Sequence, residues 1–490
     1  MDRICYLVFG VKIPLLLQYS LPLIVFYTFI SPFINNKYFR FLLILIPPVV
    51  IFIRLLRNDP FFLSDDFAHL KLVSENSYFE IAKNAFTGSG IWVGHRIIGA
   101  FWLFKLIFQS LGAKAEAFLT ANFILHAINV LFFYLIVQKL KKTSFAVLSA
   151  FIVGSYYLTW ISNIHEIMGA TFALLATFFW VKWLKKEGKT YMWTILFYIL
   201  AILTKEITFV LPISLVFITI FYNYNVSPIE KDKAVKHLIP FAVIFLIYLF
   251  TYGVGFLNYR ILPSQDSYKI AFNFTPIIQN LQFYGGYTFP IAKSSTASLV
   301  LIFSIFVVFD SVKKKPIMIP ALASFFIFLG PALLFEGRVS PYYSYIATFF
   351  LFIGLTFFLS EIHTSLTNIL NKRPKIWLKI FNVYFVLFLL IGVFGMNKLF
   401  MDNCFLIQYT WKNELKERVT GVTKKIEEVS QYREIKRGTE IGLEEAEMDE
   451  DMKFIYESET LQLFLRSERL KGFKYKFIED RSLLLVEEAL

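Results

Sequence analysis

Long apolar runs recur along most of this chain, and they constrain its fold more than any other feature. Runs of about 17–20 residues appear from the N-terminus to about residue 397, and a run of that length matches the hydrocarbon thickness of a bilayer. Charged residues make up only 17% of the 490 residues and hydrophobic residues 57%. A soluble protein of this length would carry far more charge. The sequence therefore predicts an all-α polytopic membrane protein.

The apolar runs predict about 12 transmembrane helices. Some runs are shorter than a full span, which tilted or partly buried helices tolerate. The predicted spans lie near residues 14–34, 40–56, 118–138, 144–161, 167–184, 190–204, 207–222, 237–256, 296–312, 316–335, 343–360 and 376–397.

Five connectors between these spans are basic, and they predict the orientation of the chain. Cytoplasmic loops of membrane proteins are enriched in lysine and arginine, and placing all five in the cytoplasm lets the intervening spans alternate without conflict. The basic connectors contain Lys141, Lys185, Lys233, Lys314 and Arg373. The outer face then receives residues 57–117, 162–166, 205–206, 257–295 and 336–342, together with the tail from about residue 398.

The segment 97–111 is apolar but short and carries Lys105. If it crossed the membrane, the basic cluster around Lys141 would move to the outer face. We therefore predict that it is a helix lying at the outer interface, within the first outer loop.

We divide the chain into an N-terminal extra span (1–37), a transmembrane catalytic domain (38–400) and a small soluble domain (401–490). The last part changes character, because residues 401–490 hold 15 Lys+Arg against 20 Asp+Glu although the whole chain carries a formal charge of +13. The basic excess thus belongs to the membrane part and does not indicate a nucleic-acid surface. An amphipathic helical stretch and two alternating segments, "KYKFIED" and "SLLLVEE", predict an α+β fold for the tail.

The unusual polar residues collect on the predicted outer face. Asp65 and Asp66 open the first outer loop, and two adjacent carboxylates can act as a general base or bind a divalent cation. The alternative is a helix N-cap, since "SDD" before "FAHLKLV" is a good start signal.

Further polar pairs lie in the same loop and in the next outer turn. Arg96, next to His95, has a guanidinium suited to phosphate oxygens, although an interface anchor is an equal alternative. His165 and Glu166 lie at the next outer turn, where Glu166 starts a helix or supplies a second acidic group.

Lys205 and Glu206 sit side by side where two predicted spans meet near the outer surface. The lysine there can neutralise the phosphate of a lipid headgroup while the glutamate holds it in place. The alternative is an ion pair in which Lys205 and Glu206 neutralise each other and contact no ligand.

The last outer turn reads "FEGRVSPYYSY". Its Arg338 is a further candidate for phosphate binding, and Glu336 lies on the same face. Tyr342 and Tyr343 line the same region or belong to an ordinary interfacial aromatic belt.

Asn122, His126 and Asn129 recur at a spacing that puts them on nearly one face of a predicted span. Polar residues arranged in this way favour hydrogen bonding between helices over ligand binding.

The order of these features resembles the C-type (GT-C) superfamily of integral membrane glycosyltransferases. "LAILTKEITFVLP" is similar to the L-(S/T)-K-E-x-x-x-x-x-P signature of its protein O-mannosyltransferase-like and related bacterial branches, and "EGRVSPYYSY" is similar to a later R-Y-x-Y stretch. An arginine-containing helix before the N-x-x-x-H span "ANFILHAINV" fits the same pattern, as does the acidic pair in the first outer loop.

The resemblance implies an enzyme that moves a sugar from a polyprenyl-phosphate carrier to a glycan, lipid or protein acceptor on the extracytoplasmic face. It implies Asp65 as the general base, with Asp66 in support or holding a divalent cation. It implies that Lys205, Arg338 and Arg96 meet the carrier phosphate and that Glu206 orients Lys205. The implied location is the plasma membrane if the source is bacterial, with the C-terminal domain outside.

Two other functions fit a chain of this kind. A transporter or flippase of lipid-linked glycans would also need many spans and basic groups, but it predicts charged residues through the depth of the membrane. A non-catalytic membrane scaffold would give the acidic and basic pairs no common cavity.

Overall fold

The computed structural model describes the helical part of the chain and three short strands near its C-terminus. The predicted spans at 14–34 and 376–397, and the predicted helix of the tail, lie outside the described residues. The structure describes residues 36–57, 60, 62, 65–87, 96–156, 160–228, 231–260, 274–288, 296–336, 339–371, 440–444, 474–478 and 486–487.

The first half of the helical part begins with a long helix that contains two consecutive prolines. Three shorter helical segments follow it, and the last of these starts as a π-helix (Ile97–Leu103) that continues directly into an α-helix. The α-helices are α1 (Lys37–Arg57), α2 (Asp65–Glu75), α3 (Tyr78–Thr87), α4 (Phe104–Leu111), α5 (Ala115–Leu140) and α6 (Phe145–Val153).

The second half contains two places where a 3₁₀ turn leads into a helix after a break. Ile161–Asn163 precedes α7 (Ile164–Leu184), and Glu206–Val210 precedes α9 (Leu211–Asn225). A third 3₁₀ turn, Pro341–Ser344, leads into the last helix. The other helices are α8 (Tyr191–Ile202), α10 (Lys231–Arg260), α11 (Phe274–Thr288), α12 (Thr296–Lys313), α13 (Met318–Leu333) and α14 (Tyr345–Leu370).

Each predicted span that falls within the described residues overlaps one of these helices, which confirms a helical, membrane-type architecture. Among the described residues, five helical segments are long and apolar enough to cross a bilayer by length and composition. The total of about 12 spans stays a prediction. The five segments are Tyr38–Arg57, Ala115–Leu140, Ile161–Leu184, Glu206–Asn225 and Pro341–Leu370.

The core of the bundle forms around α7 and α14. One face of α7 carries small residues that let helices approach closely, and α7 packs against both α5 and α8. Among these small residues, Gly169, Ala170, Ala173 and Ala176 are buried. By contrast, only 28% of the apolar stretch of α1 is buried, against 67% for Pro341–Leu370, so α1 lies at the edge of the bundle.

The polar face of α5 joins this core by hydrogen bonds, as its spacing predicts. The His126 Nε2–H donates to the Gly154 carbonyl at 3.0 Å, so Nδ1 accepts from the Tyr345 hydroxyl at 2.6 Å. The Asn129 amide donates to the Ile167 carbonyl (2.8 Å) and to the same hydroxyl (3.1 Å). These bonds tie α5 to α6, α7 and α14.

Local hydrogen bonds also fix the helices of the first predicted outer loop. The Ser77 hydroxyl accepts from the Glu80 N–H, and the Glu80 carboxylate accepts from the Ser77 N–H at 2.7 Å, which forms a capping box at the start of α3. The Lys105 ammonium on α4 donates to the Val73 carbonyl near the end of α2 at 2.6 Å. The charge of the predicted interfacial segment is thus used to cap a neighbouring helix.

Basic connectors meet at one end of the bundle. Lys139 pairs with Glu187 at 2.5 Å, and Lys141 pairs with Glu361 of α14 at 2.8 Å. Tyr343 precedes Glu361 by 18 residues, which corresponds to about 27 Å along a helix. The residues before α14 therefore lie at the opposite end of the bundle from these ion pairs.

Three strands fall in the predicted C-terminal domain. β1 (Glu440–Glu444) pairs in parallel with β2 (Lys474–Ile478), with Glu440 opposite Lys474, and antiparallel with β3 (Val486–Glu487). β2 and β3 coincide with the alternating segments "KYKFIED" and "SLLLVEE". The extent of the domain and its location outside the membrane stay predictions.

Replacing Tyr345 with phenylalanine will lower the stability of the bundle by about 1–2 kcal/mol, because His126 Nδ1 and the Asn129 amide lose their shared buried partner. Thermal unfolding in detergent measures the loss. Tyr38→Phe is the matched control, since Tyr38 is 81% exposed. Equal unfolding temperatures for both variants would contradict the role given to this hydroxyl.

Candidate functional site

A break between two helices creates the centre of the site. α8 ends at Ile202, and Lys205 adopts an extended backbone (φ −147°, ψ 123°) before the 3₁₀ turn that starts at Glu206. The Lys205 carbonyl accepts from both the N–H and the hydroxyl of Thr208. Pro212 in the first turn of α9 suits a helix start, because the missing N–H is not needed there. The "TKE…P" pattern thus encodes a helix stop, one extended residue and a restart.

Lys205 is buried together with a glutamate from another helix. Its side chain and that of Glu166 are each about 1% exposed, and the ammonium lies 2.5 Å from Glu166 Oε1. The same ammonium is 3.2 Å from Glu206 Oε1. Glu166 lies in the first turn of α7, where a carboxylate also suits the helix dipole. The lysine therefore has its nearest partner in Glu166 and a second partner in its neighbour Glu206.

Arg96 closes the cluster from the first loop. Its guanidinium forms a fork on Glu206, with Nη2 donating to Oε1 at 2.7 Å and Nε to Oε2 at 3.1 Å. Its Nη1 donates to His165 Nε2 at 3.2 Å. Because arginine is only a donor, His165 must accept there and carry its proton on Nδ1. Arg96 and Glu206 are 25% and 27% exposed, so they form the accessible edge of the cluster.

Two tyrosines cover the lysine. The Lys205 Nζ lies 5.9 Å from the ring centre of Tyr342 and 5.7 Å from that of Tyr343, within the range of a cation–π contact. The two rings are 4.4 Å apart, and Trp160 lies edge-on to Tyr342. The aromatic pair thus contacts the charged group.

Asp66 has a partner in another helix. It is fully buried, and its carboxylate accepts from the backbone N–H of Ser162 at 2.7 Å and from the Ser162 hydroxyl. These bonds cap the 3₁₀ turn that starts α7. Asp66 is the second residue of α2, and these bonds cap a turn far along the chain. The interpretation of "SDD" as the cap of its own helix stays a prediction.

His69, on α2, extends this connection toward the charged cluster. Its Nδ1 lies 3.2 Å from the Ser162 hydroxyl, and its ring lies edge-on to His165 with ring centres 6.4 Å apart. Because the Ser162 hydrogen is donated to Asp66, His69 donates to Ser162. Burial and the nearby Arg96 lower the pKa of His69 to about 3, so the imidazole is neutral.

Two glycines permit the close approach of the elements. A Cβ on Gly99 would lie 2.6 Å from a Thr204 methyl and 3.0 Å from the His165 Cα. A Cβ on Gly169 would lie 2.8 Å from the Lys205 Cβ. The π-helix is also joined to the end of α8, where the Ile98 N–H donates to the Leu203 carbonyl at 3.3 Å. Only glycine fits at these two contacts without a shift of the backbone.

The structure brings together most of the residues that the sequence singled out. Arg96, His165, Glu166, Lys205 and Glu206 form one cluster, and Asp66 reaches it through Ser162 and His69. Tyr342 and Tyr343 join it through their rings.

The structure describes three of the predicted site residues only in part or not at all. Asp65 is the first residue of α2, but its side chain lies outside the described set. His95 and Arg338 lie outside the described residues, and the roles given to them stay predictions.

Sequence reasoning did not select His69, Ser162, Gly99 or Gly169. A signal was present for three of them, since each lies three or four residues from a chosen residue on the same helix face. His69 follows Asp66 by three, Gly99 follows Arg96 by three, and Gly169 follows His165 by four. Ser162 had no such signal, because its contact with Asp66 is tertiary.

The described side chains do not fit a divalent cation site. Among them, no group of three or more histidine, cysteine, aspartate or glutamate residues could hold a metal ion. The Oδ1 of Asp66 is already engaged by Ser162. The cation suggested for Asp65 and Asp66 stays a prediction, because the side chain of Asp65 lies outside the described set.

The protein has helices that can cross a bilayer, and a charged cluster is buried at one end of them. These two features define an integral membrane protein with a polar site. Residues 95–252 match the model of a family described as dolichyl-phosphate-mannose-protein mannosyltransferase. This match confirms the resemblance to the GT-C superfamily of membrane glycosyltransferases. The matched segment includes Arg96, Glu166 and Lys205 but is less than half of the chain. No curated protein and no solved structure matches.

Replacing Gly169 with alanine will displace Lys205 and lower stability by about 1–3 kcal/mol, because the new Cβ overpacks the contact between α7 and Lys205. Gly330→Ala is the matched control, since a Cβ at Gly330 in α13 meets no heavy atom within 4 Å. Thermal unfolding in detergent compares the two. A Gly169→Ala protein as stable as Gly330→Ala would contradict the close contact.

Lowering the pH will destabilise the protein through His69. Below about pH 6.5 the imidazole of His69 takes up a proton in the unfolded chain, whereas in the folded chain it stays neutral down to about pH 3. This difference lowers the free energy of unfolding by up to about 1.4 kcal/mol per pH unit. The contribution of neutral His69 to stability is therefore fully present above about pH 6.5 and is lost progressively as the pH falls below that value. Unfolding temperatures between pH 7.5 and 5 will fall less steeply for His69→Gln than for wild type. Parallel slopes would contradict a buried neutral His69.

Proposed function

We propose that this protein transfers a sugar from a polyprenyl-phosphate donor to an acceptor hydroxyl on the extracytoplasmic face of the membrane. The family match supports a membrane glycosyltransferase of the GT-C type. The finer assignment of donor and face draws on the cluster around Lys205. In this proposal the cluster lies on the extracytoplasmic side, opposite the end where the basic connectors meet.

The observation that carries the proposal is the burial of Lys205 between two carboxylates, with Arg96 at the accessible edge. Charged groups within apolar helix bundles are expensive and are usually tied to function. In this proposal a lipid-linked anion meets Arg96 at the accessible edge first and Lys205 behind it. A donor with a phosphate next to its reacting carbon is the substrate class that such cations suit.

The proposed reaction is a direct displacement. The acceptor oxygen forms a bond to the anomeric carbon, the bond from that carbon to the phosphate oxygen breaks, and polyprenyl phosphate leaves with one additional negative charge. The acceptor proton passes to Asp65 as general base. A single displacement inverts the anomeric configuration, as in inverting glycoside hydrolysis with another nucleophile.

The other residues take supporting roles in this proposal. Arg96 and Lys205, with Arg338 as a further candidate, stabilise the developing phosphate charge. Glu206 orients both described cations, and Glu166 holds Lys205. Asp66 is a positioning residue, since its bonds to Ser162 fix the first turn of α2, where Asp65 lies.

A transporter is less well supported by the distribution of buried charge. Among the described residues, buried Asp66, Lys105, Glu166 and Lys205 belong to the site end, and Asp310 lies in the last turn of α12, next to the basic connector that contains Lys314. Asp310 accepts hydrogen bonds from the N–H groups of Ile317, Met318 and Ile319 and so caps α13. Neither group marks a path through the middle of the bundle.

Purified protein will transfer a labelled sugar from at least one of a panel of polyprenyl-phosphate sugars, including the mannose donor, into the glycan or lipid fraction of host membranes. Asp65→Asn will lower the rate by about 10²–10⁴-fold, the usual contribution of a general base. Glu75→Gln, at the exposed end of the same helix, is the matched control. Nuclear magnetic resonance of the product reports the anomeric configuration, and retention would contradict a single displacement.

The lysine needs a charge-balanced test, because Lys205→Ala alone leaves Glu166 buried without a counter-ion and destabilises the fold. The double variant Lys205→Met/Glu166→Gln removes both charges at similar volume. We expect this variant to fold but to lose about 100-fold in rate, while Lys142→Ala, an exposed lysine, stays at the wild-type rate. Wild-type activity in the double variant would show that Lys205 and Glu166 have only a structural role. No turnover of any donor would overturn the function itself.

A further inference from the structure

A cavity of about 620 Å³ lies between α11 on one side and Glu336 and Val339 on the other. Its volume falls within the range of small-molecule binding sites. The α11 wall carries Thr275, Gln279 and Phe283, which are spaced four residues apart and so share one helix face. The proposed reaction uses none of these residues.

The walls of this cavity are held in place by hydrogen bonds that do not involve a ligand. The Asn280 amide donates to the Leu333 and Phe335 carbonyls at 3.0 and 2.8 Å, which fixes α11 to the end of α13. On the other side, the Ser340 N–H donates to the Tyr284 hydroxyl at 3.4 Å. The cavity is therefore a preformed feature of the fold.

A short row of rings connects the cavity wall to the charged cluster. Phe335, next to Glu336, lies 5.8 Å from Tyr343, measured between ring centres. Tyr343 in turn lies 5.7 Å from the Lys205 ammonium. The cavity wall is thus connected to the Lys205 ammonium through two rings, those of Phe335 and Tyr343.

The lining favours a carbohydrate. Gln279 and Thr275 offer hydrogen-bond donors and acceptors, Glu336 offers acceptors, and Phe283 offers an apolar ring. Sugars present hydroxyl groups at their edges and C–H groups on their faces, so they match such a mixed surface. A prenyl chain would leave the amide and the hydroxyl without partners in an apolar contact.

Backbone geometry argues against a peptide bound as an added strand. The α11 wall is a helix whose backbone groups are already bonded internally, so a peptide cannot bind it by strand addition.

We propose that this cavity is the acceptor subsite and that the acceptor is a saccharide. This inference rests on the proposed function, because it names the acceptor class of the same reaction. It places the donor phosphate at Arg96 and Lys205 and the body of the acceptor saccharide against α11, with the reacting hydroxyl extending from the cavity past Tyr343 to the donor.

The test is equilibrium binding of fluorescently labelled saccharides to the purified full-length protein without donor. The probes are α- and β-linked disaccharides of glucose, galactose and mannose, with a serine- and threonine-rich peptide as competitor. Gln279→Ala will weaken the binding of the preferred saccharide by about 3- to 10-fold, since one or two hydrogen bonds are lost. Ile278→Ala is the matched control, because Ile278 neighbours Gln279 on α11 but does not line the cavity.

Binding of a saccharide by wild type and by Ile278→Ala, with weaker binding by Gln279→Ala and no competition from the peptide, supports the proposal. It is overturned if no disaccharide binds, if Gln279→Ala binds as tightly as Ile278→Ala, or if the peptide displaces the saccharide. Failure of the proposed function has a different signature, which is the absence of donor cleavage by wild type in the transfer assay.

Discussion

The ion pair between Glu166 and Lys205 is the interaction on which the arrangement of the site depends. Both side chains are almost completely removed from solvent, and an isolated charge in such a place costs several kcal/mol. The pair offsets that cost only while the start of α7 stays against the break between α8 and α9. Gly169 makes this contact close enough. The position of three helical elements is thus coupled to the charge state of two side chains.

The same cluster also attaches the first loop to the bundle. Arg96 reaches across to Glu206 and His165, while Asp66 reaches Ser162 at the start of α7. The short helices before α5 are therefore held by charge-assisted hydrogen bonds as well as by apolar contacts such as those of His69 with Phe101 and Phe104. A ligand that competes for Arg96 therefore also acts on the attachment of this loop to the bundle.

The sequence predicted the helices and the identity of most cluster residues, because apolar length and the spacing of polar residues are local signals. The hydrogen-bonded face of Asn122, His126 and Asn129 on α5 is an example. Which residues pair with each other within the cluster was harder to predict from the sequence. Adjacency suggested that Glu206 alone holds Lys205, whereas Glu166 lies closer, because the backbone break at Lys205 turns its side chain toward α7. Contacts of this kind depend on helix packing, which one sequence does not display.

The exposure of the cluster gives an order to the events of the proposed reaction. Arg96 and Glu206 form the accessible edge, and Lys205 with Glu166 lies behind them. Glu206 Oε1 is within 2.7 Å of the Arg96 guanidinium and 3.2 Å of the Lys205 ammonium, so this carboxylate already occupies the position between both cations. A phosphate that contacts both must take over that position. In the proposed reaction Glu206 therefore keeps the two cations correctly spaced and compensated until an anionic donor replaces it, which avoids leaving two like charges facing each other in an apolar bundle.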